Sequence, residues 1–241
     1  ANGHNYDSSY SKCPFCPDPD NEKTVMDVPK PASSGFTANR GYDPDKTIIV
    51  LMPGSRRKEI NRLLSVMLES AKIIKSKFPD CQFILPVAQT ISRDMLPDMQ
   101  NLPVTIIDGS DVYDMMNITD LIIMASGTAT LEATFMLAPM IVIYKVSGIS
   151  WAVMSRMANP NVKSTTLPNI IADKMIVPEL LQDKANPNNI SQIAIKMLSN
   201  SQELEKQRDE LRKVREKMGE AGAVERVAKL VLGFINLSTS L

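Results

Sequence analysis

Apolar and polar residues alternate in blocks along most of the chain, and the blocks switch between two lengths. Thr47-Ile-Ile-Val-Leu-Met52 is a continuous apolar run, the pattern of a strand buried on both faces of a parallel sheet. From Glu59 to Phe78, residues Ile60, Leu64, Met67, Ala71, Ile74 and Phe78 recur at three- and four-residue spacing. That spacing predicts an amphipathic helix with one face on the sheet. Cys81–Val87 and Val104–Ile107 read as the second and third strands, with a helix over Ser92–Gln100 between them. A short helix over Asp111–Asn117 leads to a fourth strand, Leu121–Met124, then a helix over Thr128–Leu137 and a fifth strand, Met140–Tyr144. This βαβ rhythm predicts the α/β class and a Rossmann-like, doubly wound parallel sheet, whose ligands gather at the carboxyl ends of the strands.

The remaining segments are less regular. Ile149–Ala158 carries Trp151, Val153, Met154 and Met157 and predicts an amphipathic helix that serves as a lid or packing surface, with membrane contact as the alternative. Thr165–Ile171 reads as a loop presenting Asn169, and Val177–Gln182 as the start of a short helix with Pro178 in its first turn. Helices are expected over Pro187–Leu198 and over the highly charged Ser201–Met218, after which Glu220-Ala-Gly-Ala-Val224 leads into a final apolar helix through Val231 and Phe234. Residues 1–46 differ in texture, being rich in Pro, Asp, Asn, Ser and Gly without a sustained period. The chain therefore divides into an irregular segment, 1–46, and an α/β domain, 47–241.

Composition narrows the function classes. Lys plus Arg and Asp plus Glu both number 27 among the 241 residues, so no overall field favours nucleic acid or an acidic partner. No apolar run approaches the roughly 20 residues that span a bilayer, and the polar N-terminal stretch lacks the regions of a signal peptide. Both readings point to the cytoplasm. A Cys-x-x-Cys pair with Cys81 standing alone is a poor basis for a disulfide framework. Fifteen methionines against six phenylalanines predict adaptable apolar surfaces in core, cleft or interface.

Two loops carry candidate chemistry, and both leave strands at the same edge. In Ala125-Ser-Gly-Thr-Ala-Thr-Leu-Glu132 a strand turns into a helix. Gly127 would let the backbone approach a ligand, and the first helical amides, around Thr128, Ala129 and Thr130, point outward as donors to an anion. Ser126, Thr128 and Thr130 add hydroxyls, and Glu132 suits a ribose hydroxyl. The alternative is that Ser-Gly-Thr only punctuates an αβ turn and Glu132 balances the helix N-terminus. In Pro53-Gly-Ser-Arg56, followed by Glu59-Ile60, Gly54, Ser55 and Arg56 supply a close approach, a hydroxyl and a guanidinium able to grip two phosphate oxygens. Such a charge answers the main electrostatic demand of glycosyl transfer from a nucleotide sugar, which is a departing diphosphate.

The N-terminal run Asn2-Gly-His-Asn-Tyr, with Cys13-Pro-Phe-Cys16 after it, resembles the short zinc ribbon found at the start of some bacterial proteins. Cys13 and Cys16 would supply two sulfurs and His4 a third ligand, leaving a structural zinc one ligand short of four. The other reading is a flexible tail with a surface Cys-x-x-Cys.

Taken together, Leu51-Met-Pro-Gly-Ser-Arg56 with Glu59-Ile60, Ala125–Glu132, Pro139–Lys145, Leu167-Pro-Asn169, Val177-Pro-Glu-Leu-Leu-Gln182 and Gly222-Ala-Val-Glu-Arg226 resemble lipid-A-disaccharide synthase. The resemblance runs from about residue 47 to the end and implies the C-terminal, UDP-binding domain of a GT-B glycosyltransferase. It implies transfer of 2,3-diacylglucosamine from UDP to 2,3-diacylglucosamine 1-phosphate (lipid X), with inversion, release of UDP and no cofactor or metal in catalysis. Carried over by motif, Ser55 and Arg56 would meet the diphosphate with Glu59 holding their loop. Gly127–Thr130 would offer amides to phosphate, Glu132 would take the ribose, and Asn169 would lie near the diphosphate and donor sugar. The resemblance further implies a homodimer through the C-terminal helices and a place in the cytoplasm, peripheral on the inner membrane of a Gram-negative bacterium. The family's acceptor surfaces and catalytic base belong to an N-terminal domain, and none of Asp18, Asp20, Glu22 or Asp27 stands in a matching context. The chain thus reads as a donor-binding half. The alternatives are a non-catalytic nucleotide-sugar-binding module or another GT-B enzyme of UDP-sugars, such as an epimerase or hydrolase.

Overall fold

The computed structural model describes residues 42, 43, 45–87, 96, 104–148, 164–219 and 227–232. Residues 42–217 belong to one compact unit and residues 227–232 to another.

The first unit is built on six parallel strands: β1 (Ile48–Met52), β2 (Gln82–Val87), β3 (Val104–Asp108), β4 (Leu121–Ala125), β5 (Met140–Tyr144) and β6 (Glu179–Leu181). Their order across the sheet is β3-β2-β1-β4-β5-β6, with every pairing parallel. The apolar runs form central strands because they have two cores to fill. In β1, Ile49 and Leu51 enter one apolar cluster while Ile48 and Val50 enter the other, and Leu121/Ile123 and Ile122/Met124 divide in the same way in β4. Alternating side chains of a strand point to opposite faces, so only an unbroken apolar run satisfies both.

Helix α1 (Arg57–Lys77) covers the first face through Ile60, Leu63, Leu64, Met67, Ala71 and Ile74. The opposite face is covered by α2 (Val112–Ile118), through Met115 and Met116, and by α3 (Ala129–Phe135), through Ala133. Next come α4 (Leu167–Ala172), α5 (Pro187–Leu198) and α6 (Ser201–Lys217). Helix α5 joins α1 through Ile190, Ala194 and Met197, with the Asn186 side chain accepting from the Asn189 amide as its cap. The charged α6 places Leu204 in the first cluster and Leu211 in the second. Met67, Met115, Met116, Met124, Met140 and Met197 are buried, so core filling accounts for these methionines.

Two predicted elements are corrected. The expected loop at Thr165–Ile171 contains α4, with Pro168 in its first turn, where a missing N–H costs nothing, and Asp173 in the left-handed conformation at its end. The expected helix at Val177–Gln182 is strand β6. The Pro178 carbonyl accepts from the Val142 amide at 2.9 Å, and a proline just ahead of a short edge strand leaves no ladder donor unmade. Most of the predicted helix at Ser92–Gln100, and all of that at Ile149–Ala158 but its neighbour Gly148, lie outside the described residues. Tyr42, placed by composition in the irregular segment, is buried in the second cluster, and the Gln82 side chain bridges the Asp43 amide and carbonyl. Residues 227–232 are helical, with Val227, Leu230, Val231 and Leu232 exposed. Among the described residues no helix is long and apolar enough to cross a membrane.

Gln207 fastens α6 to the sheet. Its Oε1 accepts from the Met140 amide at 2.7 Å, and its Nε2 donates to the Met140 and Ile176 carbonyls, both at 3.2 Å. Removing it leaves three backbone groups in an enclosed site without partners. Gln207→Ala is expected to destabilise the fold by about 2 to 3 kcal/mol, the scale of unsatisfied buried polar groups. Gln207→Glu, which keeps the acceptor and loses the donor, should fall between it and wild type in denaturant unfolding.

Candidate functional site

Strands β1 and β4 are neighbours, paired level from Ile49↔Leu121 to Met52↔Met124. The chain leaves β1 toward the face covered by α1 and leaves β4 toward the face covered by α3. Crossovers that diverge from adjacent parallel strands open a crevice at the carboxyl edge, the usual ligand position in such sheets. The loop Pro53–Arg56 forms one lip and the turn Ser126–Thr128 the other.

On the first lip, Gly54 has φ +102°, and a Cβ there would lie 2.4 Å from Glu59 Oε2. Glycine is required twice over, by the backbone conformation and by the carboxylate packed against it. Arg56 sits at the N-cap position of α1, where its carbonyl accepts from the amides of Glu59 and Ile60 at 2.9 and 3.1 Å. Its guanidinium holds Glu59 Oε1 at 3.0 Å while the side chain remains 82% exposed. Glu59 therefore touches both Gly54 and Arg56, and its charge lies in the first turn of a 21-residue helix, where the dipole favours it. Ser55 is exposed.

On the second lip, the amides of Gly127, Thr128 and Ala129 have no acceptor among the described residues. The Ser126 amide donates to the Ile143 carbonyl at 3.0 Å and belongs to the sheet. Thr130 differs from its sequence reading: it is fully buried, its amide and hydroxyl both donate to the Gly127 carbonyl, and so neither faces a ligand. Gly127 does not have a positive φ, and an added Cβ would meet nothing within 4 Å. The turn itself does not demand glycine, and the space over it is open. Glu132 is half-buried in the first turn of α3, and burial raises its pKa above the ordinary glutamate value.

Asn169 is placed quite differently from the presenting loop expected for it. It is 1% exposed, and its amide and carbonyl are both engaged within the fold, at Val177, Ile176 and Glu179. The residue missed by sequence reasoning is Glu179. Its carboxylate accepts from the Ser164, Thr165 and Thr166 hydroxyls, the Thr165 and Thr166 amides and the Asn169 side chain. Burial pushes its pKa up, but hydrogen bonds from Ser164, Thr166, Thr165 and Asn169 outweigh that and hold it at about 2. The available signal was a lone acid after proline in an apolar stretch, downstream of three hydroxyl residues, Ser164-Thr-Thr166. His4, Cys13 and Cys16 lie outside the described residues; among those described, no group of three His, Cys, Asp or Glu could hold a metal.

Residues 24–231 match the family model described as lipid-A-disaccharide synthetase. The chain belongs to that family. The match begins within the stretch that composition sets apart. Lipid-A-disaccharide synthase of Geobacter metallireducens is 40% identical over 206 residues, covering 85% of this chain and 53% of that protein. The corresponding enzyme of Geobacter sulfurreducens is 41% identical over 198 residues, 81% and 51% of the two chains. The chain thus spans about half the length of the curated relatives it matches. Among solved structures, S. aureus MnaA with UDP aligns with a TM-score of 0.57 at 16% identity, over 88% of this chain and 50% of that one. The C-terminal domain of a group 1 glycosyl transferase (LpcC) from Francisella tularensis aligns with a TM-score of 0.52 at 12% identity, over 80% of this chain and 96% of that one. At such identities the likeness is one of fold, and the fold is that of a GT-B C-terminal domain, Rossmann-like as the periodicity predicts.

Gly54→Ala in this family member is expected to cost about 1 to 3 kcal/mol through backbone strain and to displace Glu59 from Arg56. Thermal unfolding checks the first effect. The second is read from the Arg56–Glu59 separation in a crystal structure of the folded variant.

Proposed function

We propose that this chain forms the donor-binding half of a lipid-A-disaccharide synthase, holding UDP-2,3-diacylglucosamine while its sugar passes to 2,3-diacylglucosamine 1-phosphate. The observation that carries the reading is the pair of lips at the β1/β4 crevice: three amides without an acceptor among the described residues on one and an exposed guanidinium on the other, in a chain of this family. The amides of Gly127, Thr128 and Ala129 meet one phosphate. Arg56 faces the other and neutralises charge as UDP departs, while Glu132 accepts from a ribose hydroxyl. Ser55 adds a hydroxyl beside Arg56. A fold alone does not separate substrates; family membership favours the lipid A reaction over other UDP-sugar chemistry. The exposed apolar side chains of residues 227–232 support association of two copies through the C-terminal helices, and the position of the acceptor on a lipid supports work at the inner membrane surface. For residues 1–46 we propose the incomplete zinc ribbon of His4, Cys13 and Cys16.

Calorimetric titration with UDP, against CMP and ADP, tests the reading: selective UDP binding is expected, and a folded sample that ignores UDP would leave only a non-catalytic scaffold. Arg56→Ala should weaken UDP binding by about 1.5 to 3 kcal/mol, the scale of a hydrogen bond to a charged group, and an unchanged affinity would remove Arg56 from the site. Ionised Glu132 is the acceptor, and its pKa lies above the ordinary value of 4.5. Affinity should therefore decline on acidification at a higher pH than an ordinary glutamate would dictate. Glu132→Gln should flatten that limb of the profile.

A further inference from the structure

Among the described residues Glu179 takes part in no ion pair, and none of its partners there is charged. An anion set among neutral donors is stable only while those donors stay aimed at it, so the arrangement fixes geometry as much as energy. The donors come from one short stretch, residues 164–169, and the acceptor comes from the edge strand β6.

Asn169 completes the arrangement. Its Nδ2 donates to Glu179 Oε1 at 2.7 Å and to the Val177 carbonyl at 2.8 Å. Its Oδ1 accepts from the amides of Ile176 and Val177 at 2.7 and 2.8 Å. A side-chain amide has two donor hydrogens and two acceptor lone pairs, and all four are occupied. Nothing remains with which to hold a sugar or phosphate unless the cluster is first dismantled.

The same strand secures a second loop. Gln182, just past β6 and held at φ +50°, accepts from the Val146 amide at 2.8 Å and reaches the Val146 carbonyl with its Nε2. Val146 follows β5 at the carboxyl edge. Helix α4, which begins within the Glu179 cradle, packs against α3, the helix that starts at the Gly127–Thr128 turn.

We infer that Asn169 and Glu179 act as one positioning unit that fixes residues 164–172 beside α3, and that Asn169 holds strand β6 rather than the bound nucleotide sugar. This departs from the role that family resemblance implies for Asn169. The part of the inference concerning ligand rests on the donor-site reading; the part concerning mutual support of the two side chains does not.

A swap of donor and acceptor tests it. Asn169→Asp places a second carboxylate against Glu179 with no hydrogen between them. Its melting temperature should fall by about 5 to 10 °C near pH 8. The deficit should shrink toward pH 5, because one carboxyl of the pair, its pKa raised by the like charge, takes up a proton in the folded state and restores a donor. Glu179→Gln alone should also lower the melting temperature, since the hydroxyls and amides lose their charged acceptor. In Asn169→Asp/Glu179→Gln the Gln amide donates to the Asp carboxylate and the cluster again holds a single negative charge, while the Val177 carbonyl and the Thr166 amide lose their partners, so the double variant should lose clearly less than the sum of the two single losses. Hydrogen exchange at the amides of residues 164–172 should follow the same order. UDP affinity should drop in each single variant and recover in the double variant in step with the melting temperature.

Melting temperatures that add without rescue, or an Asn169→Asp deficit indifferent to pH, would overturn the mutual support. Recovery of stability without recovery of UDP affinity would overturn the positioning role and return Asn169 to the ligand. If the wild-type chain ignores UDP, the donor-site reading falls by itself, and the stability and exchange comparison still decides whether the pair is one unit.

Discussion

Burial of β1 and β4 on both faces is the constraint from which the rest of the site follows. A strand apolar on both sides must lie inside a sheet covered twice, and two such strands side by side need crossovers that leave in opposite directions to supply the two covers. The divergence that solves the burial problem opens the crevice. The level pairing of Met52 with Met124 then brings Gly54 on one side and Gly127 on the other to the same edge. Position is therefore a by-product of packing, and only the chemistry of the lips has to be supplied by particular residues.

Those residues differ in how they are held. Gly54, Arg56 and Glu59 form a small self-supporting group in which the glycine makes room for the carboxylate and the carboxylate steadies the guanidinium. The ion pair is exposed and weak as a source of stability. Arg56 has N–H groups beyond the one that holds Glu59, and the proposed grip on a phosphate would use those. On the opposite lip the Thr130 hydroxyl and amide both close on the Gly127 carbonyl, which leaves the amides of Gly127, Thr128 and Ala129 without an acceptor among the described residues.

Legibility in the sequence followed the strength of the physical signal at each position. The central strands and α1 could be read because a run such as Ile48–Leu51 or a stripe such as Ile60, Leu64 and Met67 has one natural solution. Residues 179–181 could not, since three residues carry no period and Glu-Leu-Leu suits a helix in isolation; pairing with β5 decides it. At the site, the lips were legible as motifs, but the direction of a side chain was not. Thr130 and Asn169 look like ligand donors on paper because their polar groups are visible and the partners that claim them are mostly backbone groups, which sequence does not display.

Asn169 and Glu179 show why such a claim is easily misread. A residue that recurs in a functional motif touches either the ligand or what supports the ligand's site, and the motif does not distinguish the two. Burial and hydrogen-bond capacity do. An asparagine with all four bonding positions occupied inside the fold and 1% of its surface exposed has no free valence for substrate, whereas an arginine 82% exposed with one side-chain partner among the described residues has several. Among the described residues the amides of Gly127–Ala129 and the Arg56 guanidinium keep unused donors while Asn169 keeps none, so the count of unused donors supports the proposed division between residues that bind and residues that position.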